Sequence, residues 1–165
     1  PAAKYESTAE SARHGSRLKR IARMAAARAA DPDTFRATLL EAVTFNVVIG
    51  NGDAHSKNYS LMINRTGQVS LAPNTQRADG NLDAKYKGTG HVIDGKTSID
   101  LIDVTDLARE AATWGMPERR ATAIVQSCIE NVHDAIDSVS LPSGAERVKP
   151  NLEAMWVRRA WAVGR

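Results

Sequence analysis

The sequence predicts a mainly α domain, helical with one small β-hairpin. Apolar residues recur at helical spacing in five stretches, and two short apolar runs flank a turn-forming segment at 64–67. The 165 residues are 42% hydrophobic and 25% charged, which suits one globular domain over residues 1–165. The predicted order is two helices, a polar loop, the hairpin, a long loop and three more helices.

Two helices are predicted in the first third of the chain. The first covers residues 15–30 and ends before Pro32, because proline cannot continue a helix. Asp33 is then predicted to cap the second helix, whose apolar stripe runs over 35–48. Gly50 is expected to end that helix.

A hairpin and a long loop are predicted next. The apolar runs Tyr59–Asn64 and Gln68–Ala72 can pair around the turn at 64–67. From Pro73 to Gly95 the chain is polar and glycine-rich, so we expect an irregular segment there, with Gly88-Thr-Gly90 as a surface turn. Long loops in compact domains are usually functional.

Three helices are predicted in the last third. One covers about 104–115 with Thr105 as its N-cap, and Pro117 suits the first turn of the next. That next helix has the clearest amphipathic pattern in the chain, over 121–139. A last helix is expected over 145–162.

Composition limits the function classes. The only cysteine, Cys128, excludes an internal disulfide, fits a reducing compartment and is interpreted as a small core residue. No run approaches a membrane span and no signal-peptide layout is present, so we expect a cytoplasmic protein without membrane contact. The net charge is +3, with basic residues clustered at 13–28 and 158–165. A solvated helix face explains them, and direct DNA binding through the first helix is the alternative.

The loop after the second helix carries the strongest chemical signal. In Asn51-Gly-Asp53-Ala-His55-Ser-Lys57-Asn58 an Asp and an Asn stand five positions apart. This is the spacing of the kinase catalytic loop, in which the Asp orients the attacking hydroxyl and the Asn holds magnesium. We therefore predict Asp53 as the base, Asn58 as the metal ligand, Lys57 as an electrostatic helper and His55 as a structural member of the catalytic set. Asn51 joins Asn58 in the predicted cofactor-binding set.

Simpler interpretations of this loop remain open. Gly50 to Asp53 are all turn formers, so a polar loop at a helix end is one alternative. His55 with Asp53 could also bind a metal without any kinase chemistry, although the four histidines show no pair at zinc-ligand spacing. Neither a nucleotide-binding glycine loop nor a Gly-x-Ser-x-Gly elbow is present. The kinase-type loop is therefore the preferred prediction.

The pattern Asn51-x-Asp53-x-His55-x-Lys57-Asn58-Tyr-Ser-Leu resembles the HipA family, bacterial kinase-fold toxins that phosphorylate proteins on serine or threonine. The resemblance implies a kinase-like C-lobe of the HipA C-terminal type, with ATP and Mg²⁺ as cofactors. It also implies Asp53 as base and Asn58 as magnesium ligand. Further matches to the family's pattern are Lys4-Tyr5-Glu6, Leu71-Ala-Pro73, Ile93-Asp-Gly-Lys96 and Leu107–Gly115.

Two departures from the family's pattern bear on activity. The family's second metal ligand is an Asp in Leu-Ala-Pro-x-Tyr-Asp, and counting from Leu71 that position holds Gln76. A glutamine oxygen can coordinate magnesium but has no charge, and Asp79 or Asp83 could substitute. The family's ATP-binding N-terminal lobe has no counterpart before Gly15. We therefore expect this chain alone to bind ATP poorly and not to turn over.

Two functions follow from the resemblance. The first is the catalytic lobe of a HipA-like serine/threonine kinase toxin of a toxin–antitoxin system, impaired by Gln76 and the absent N-lobe. Its implied partners are a protein substrate such as an aminoacyl-tRNA synthetase, a HipB-like antitoxin and a separate N-lobe, with DNA contacted only indirectly. The alternative is a catalytically dead pseudokinase that binds an antitoxin or a complementary lobe.

Overall fold

The computed structural model describes residues 4–73, 88–140, 143 and 146–158. In this part of the chain the mainly helical prediction is confirmed. Two short 3₁₀ turns, Ser56–Asn58 and Ile99–Leu101, join the regular elements. The helices are α1 Thr8–His14, α2 Arg17–Ala26, α3 Pro32–Val48, α4 Val104–Ala112, α5 Glu118–Ser138 and α6 Val148–Arg158, and the strands are β1 Leu61–Ile63, β2 Val69–Leu71, β3 Gly88–Ile93 and β4 Lys96–Ser98.

Helix α3 is the centre of the helical core. It contacts α2, α4 and α5, and its apolar stripe meets the stripe of α5. Leu39 and Leu40 of α3 and Val125 of α5 are fully buried, and each such side chain contributes about 1.5–3 kcal/mol. From α6, the Trp156 indole N–H donates to the Val48 carbonyl at 2.9 Å, which satisfies one of the free acceptors at the end of α3.

The N-cap of α3 is Asp31, so the prediction of Asp33 is wrong. The Asp31 carboxylate accepts hydrogen bonds from the Asp33 backbone N–H at 3.0 Å and from the Thr34 hydroxyl at 2.5 Å. Pro32 occupies the first helical position, where a missing N–H costs nothing and the fixed φ suits the helix. Pro32 therefore starts α3 as well as ending the preceding helix.

The N-cap of α4 is Asp103, so the prediction of Thr105 is also wrong. Asp103 accepts from the Asp106 backbone N–H at 2.9 Å, and Asp106 accepts in return from the Asp103 N–H at 2.8 Å. This reciprocal capping box satisfies two free donors at once, which a threonine two positions later could not do. The Asp106 carboxylate also binds Lys96 Nζ at 2.6 Å, which raises the pKa of Lys96 and fastens β4 to α4.

The predicted hairpin is confirmed, and a second one was missed. β1 and β2 pair antiparallel, with Leu61 opposite Leu71. β3 and β4 form another antiparallel pair, so the irregular segment predicted from Pro73 to Gly95 is wrong over residues 88–95, while residues 74–87 lie outside the described part. The glycines that suggested a loop instead allow positive φ at Gly90 and Gly95.

The N-terminal region also differs from prediction. Thr8–His14 forms α1, a short helix that was not predicted, and the predicted helix over 15–30 is shortened to α2. Its first residue, Arg17, is buried, so the solvated basic face predicted for this helix does not include it. The Arg17 guanidinium donates to both Glu10 carboxylate oxygens, at 2.9 and 2.6 Å.

Two further predictions concern the cysteine and the possibility of a membrane-spanning helix. Cys128 is partly buried on α5, and burial raises the pKa of its thiol to about 11, so it stays protonated at neutral pH. The side chain is not among the buried core residues, so the interpretation of Cys128 as a core residue is wrong. None of the helices in the described ranges has both the length and the apolar character needed to cross a membrane.

We predict that Glu10→Gln weakens the dependence of the free energy of unfolding on pH in the acidic range. The Arg17 guanidinium lowers the pKa of Glu10 from 4.5 to about 2. A carboxyl group whose pKa is lower in the folded state than in the unfolded state stabilises the fold at a pH above the unfolded-state pKa. This contribution is lost as the pH falls through the folded-state pKa. The free energy of unfolding, measured by denaturant titration between pH 7 and pH 2, should therefore depend less on pH below about 4.5 in the variant. Glu130→Gln, an exposed site on α5, should keep the wild-type profile; identical acid limbs for both variants would contradict the prediction.

Candidate functional site

Residues 51–58 form a loop at the C-terminal end of α3, and Asn46 fixes both of its ends. Asn46 is 3% exposed; its carbonyl accepts from the Asn51 N–H at 2.8 Å, and its Oδ1 accepts from the Asn51 amide at 2.8 Å. Its own amide donates to the Ala42 carbonyl at 2.9 Å and to the Tyr59 hydroxyl at 3.4 Å. One buried amide therefore joins the helix to the beginning and the end of the loop.

Inside the loop the chain folds back so that Asn58 meets Asp53. The Asn51 Oδ1 accepts from the Asp53 N–H at 3.1 Å, and the His55 N–H donates to the Asp53 carbonyl at 2.8 Å. The Asn58 side-chain amide donates to the same carbonyl at 2.5 Å. The two residues that the sequence predicted as base and metal ligand are therefore joined by a hydrogen bond between a side chain and the backbone.

Among the described residues, the Asp53 carboxylate has hydrogen-bond partners on one oxygen. Its side chain is 56% exposed, and Oδ1 accepts from the Tyr5 hydroxyl at 2.9 Å and from Lys4 Nζ at 2.8 Å. The Lys4 ammonium holds the pKa of Asp53 below its usual value, and Asp53 raises the pKa of Lys4 in return. Asp53 is therefore ionised at neutral pH.

His55 is buried in the loop, whereas Lys57 is exposed. His55 is buried with its ring edge against Tyr5, at 6.0 Å between centroids, and burial lowers the pKa of its imidazole. Its Nε2 lies 3.8 Å from the Asp53 Oδ1, and its Nδ1 has no hydrogen-bond partner among the described residues. Lys57 is exposed in the 3₁₀ turn beside Asn58.

Strand β3 packs closely against the loop at Gly90. A Cβ at Gly90 would lie 2.8 Å from the His55 nitrogen and 2.9 Å from the Ala54 carbonyl carbon and oxygen. Gly90 also has φ +71°, a backbone conformation that residues other than glycine rarely adopt. The interpretation of Gly88-Thr-Gly90 as a surface turn is therefore wrong: only glycine lets the strand approach the loop this closely.

Glu6 fixes the N-terminal segment beside the site. Its Oε1 accepts from the Arg17 N–H at 2.8 Å, and its Oε2 accepts from the Val92 N–H at 3.0 Å. Its own N–H donates to the Gly90 carbonyl at 3.3 Å. The buried ring of His91 lies beside this carboxyl, with Nδ1 at 3.8 Å from the Oε2.

One comparison with known proteins gives a match. The family model described as HipA-like C-terminal domain matches residues 1–136, which include the N-terminal segment, the loop, both hairpins and most of α5. The chain belongs to the HipA-like C-terminal domain family. No curated protein and no solved structure gives a match.

Of the two metal ligands that the resemblance implies, Asn58 lies in the described part of the HipA-like domain. An asparagine oxygen is a hard donor of the kind that Mg²⁺ prefers, and the side-chain amide of Asn58 is fixed to the Asp53 backbone carbonyl at 2.5 Å. Within the described ranges no group of three or more His, Cys, Asp or Glu side chains could hold a metal ion. Gln76, the predicted second ligand, lies outside the described residues, as do Asp79 and Asp83.

Several site residues of the HipA-like domain were not assigned a role from sequence. Lys4, Tyr5 and Glu6 entered only as part of a family match, because nothing local shows that they reach a loop about 50 residues away. Asn46 did leave a signal, since it is a polar residue at helical spacing within the apolar stripe of α3. Gly90 left the signal of a glycine inside a strand, which often marks a close backbone approach.

We predict that Gly90→Ala destabilises the HipA-like domain more than Gly95→Ala. Both glycines have positive φ, +71° and +79°, so alanine costs about 1–2 kcal/mol at either position for the left-handed conformation. Only Gly90 has backbone atoms closer than 3 Å to the new Cβ, and overpacking adds about 1–3 kcal/mol. Chemical denaturation of the two variants measures the difference. Equal losses of stability, or Ala54 and His55 amide resonances that stay in place in Gly90→Ala, would refute the close approach.

Proposed function

We propose that this HipA-like domain is the catalytic lobe of a serine/threonine protein kinase of the toxin–antitoxin type. The observation that carries the proposal is the hydrogen bond from the Asn58 amide to the backbone carbonyl of Asp53, which holds these two residues of the loop together while the Asp53 side chain stays 56% exposed. Membership of the HipA-like family supports the same class. The substrate is then a protein hydroxyl, for example on an aminoacyl-tRNA synthetase.

The chemistry asked of Asp53 is modest. Phosphoryl transfer depends mainly on placing the nucleophile and neutralising charge. The ionised carboxylate accepts a hydrogen bond from the serine or threonine hydroxyl and directs its oxygen at the γ-phosphorus of ATP. As the new O–P bond forms and the bond to ADP breaks, the hydroxyl proton passes to Asp53. The lowered pKa of Asp53 favours a late proton transfer, which suits a loose transition state.

Two further side chains have roles at the phosphates. Asn58 would hold Mg²⁺, with Gln76 as the second ligand, and the ion would neutralise the phosphate charges when bound. Lys57 is exposed next to Asn58, and its ammonium is free to approach the transferring group. Buried His55 supports the loop rather than touching the substrate.

A pseudokinase or interaction module is the second candidate. Gln76 favours it, because a neutral ligand replaces the family's metal-binding Asp. The exposed apolar residues of β1, Leu61, Met62 and Ile63, also favour it, since such a surface is suited to a protein partner. The partner would be an antitoxin or a complementary lobe.

We predict that Asp53→Asn lowers phosphate transfer by about 100-fold or more, because a positioned general base contributes at least that factor. Asn58→Ala should instead raise the Mg²⁺ concentration needed for half-maximal transfer. The measurement is the incorporation of label from γ-labelled ATP into heat-inactivated extract proteins, using the product of the whole reading frame that contains this chain. Asp134→Asn and Asn131→Ala, at exposed positions of α5, are the matched controls. Full transfer by Asp53→Asn would exclude the proposed base.

We predict that Gln76→Asp in the same protein increases transfer by at least about tenfold, since it restores a charged ligand for magnesium. It should also tighten Mg²⁺-dependent ATP binding in calorimetric titrations. Gln126→Asp, on the exposed face of α5, adds the same charge away from the site and should change neither quantity. If neither the wild type nor Gln76→Asp transfers phosphate, the interaction module is the better description.

A further inference from the structure

We propose that Lys4 and Tyr5 are positioning residues for Asp53: together they occupy its Oδ1, so that Oδ2 is the oxygen that receives the acceptor hydroxyl. The catalytic meaning of this assignment rests on the proposed kinase function. The arrangement itself, which we name the Oδ1 clamp (Lys4, Tyr5 and Asp53), is a property of the protein without any ligand.

The capacity of a carboxylate oxygen supports the division of roles. Each oxygen offers two lone-pair sites, and at Oδ1 these are taken by Lys4 Nζ at 2.8 Å and the Tyr5 hydroxyl at 2.9 Å. The nearest ring nitrogen of His55 is also on the Oδ1 side, at 3.8 Å. Within the described residues every polar contact of the carboxylate is made to Oδ1. Because the Asp53 side chain is half exposed, Oδ2 remains accessible to a substrate.

The backbone contacts of residues 4–6 indicate that this segment positions Asp53 and does not inhibit it. A segment that blocked the site would have to be displaced before the substrate could bind. Here Glu6, directly after Tyr5, is buried and bonded to the backbone N–H groups of Arg17 and Val92 at 2.8 and 3.0 Å. On the other side, the Lys4 carbonyl accepts from the Arg17 guanidinium at 3.2 Å. Releasing the segment would separate the Glu6 carboxyl from both of these donors, so the buried contacts oppose its release.

The two clamp side chains also support each other. The Lys4 ammonium lies 5.1 Å from the centre of the Tyr5 ring, within the range of a cation–π contact. The same ring meets the edge of buried His55. Exposed ion pairs are weak when they stand alone, and Lys4 and Asp53 are both about half exposed. The ring contacts restrict the two donors, so the clamp acts through orientation more than through binding energy.

A spectroscopic experiment tests the clamp without any activity. An ammonium group held in an ion pair exchanges its protons slowly enough to be observed by ¹H–¹⁵N correlation, whereas a free lysine does not. We expect an observable Lys4 ammonium signal in the wild-type protein and in Asp134→Asn, and its loss in Asp53→Ala. A Lys4 signal that is absent in the wild type, or unchanged in Asp53→Ala, overturns the clamp whether or not the protein transfers phosphate.

A kinetic experiment tests its catalytic role in the product of the whole reading frame. Lys4→Met and Tyr5→Phe should each lower kcat by roughly tenfold or more while the KM for ATP stays unchanged, because misorientation of a base affects the chemical step. Lys4→Arg should recover most of the rate, and Lys19→Met on α2 should behave as wild type. Variants that transfer faster than wild type, or that change only KM, overturn the positioning role. If the wild type itself is inactive, the proposed function fails and the ammonium signal still decides whether the clamp exists.

Discussion

The Glu6 carboxyl group joins three parts of the chain that are distant in sequence. One oxygen accepts from the first residue of α2, the other accepts from Val92 in β3, and the same residue's N–H reaches Gly90. A carboxyl group buried away from water has to satisfy its oxygens inside the protein, because each unmet donor or acceptor costs about 1–3 kcal/mol. A Cβ at Gly90 would in turn meet Ala54 and His55, so the contacts of Glu6 with β3 also bear on how closely the loop at 51–58 lies to the strand.

Glu110 has the matching role at the other end of the second hairpin. Its carboxyl accepts hydrogen bonds from the Ser16 hydroxyl, from the Trp114 indole at 3.1 Å and from the Asp94 N–H at 3.2 Å. Glu6 therefore fixes β3 to the start of α2, and Glu110 fixes the β3–β4 turn to α4 and to the residue before α2. Two-stranded hairpins are marginal by themselves, so these buried acceptors allow a small sheet to serve as the support of the site.

The sequence predicted what depends on local periodicity and missed what depends on contacts between distant residues. The stripes of α3 and α5 and the meeting of Asp53 with Asn58 could be predicted, because helical spacing and a five-residue loop are local properties. β3 could not, because its glycines look like a loop until the neighbouring backbone explains them. The contact of Tyr5 with Asp53 spans 48 positions, and no periodicity encodes such a pair.

The site divides into a buried support and an exposed working face. Asn46, Ala54 and His55 are buried, and each contacts the backbone or a neighbouring side chain of the loop. Asp53 and Lys57, the residues proposed to act on substrate, are exposed. A preorganised site needs this division, since a group that must meet a reacting atom has to reach solvent while its backbone stays fixed. Asn46 shows the cost: it places a polar side chain in the apolar stripe of α3, and the three hydrogen bonds of that side chain, to Asn51, Ala42 and Tyr59, balance its burial.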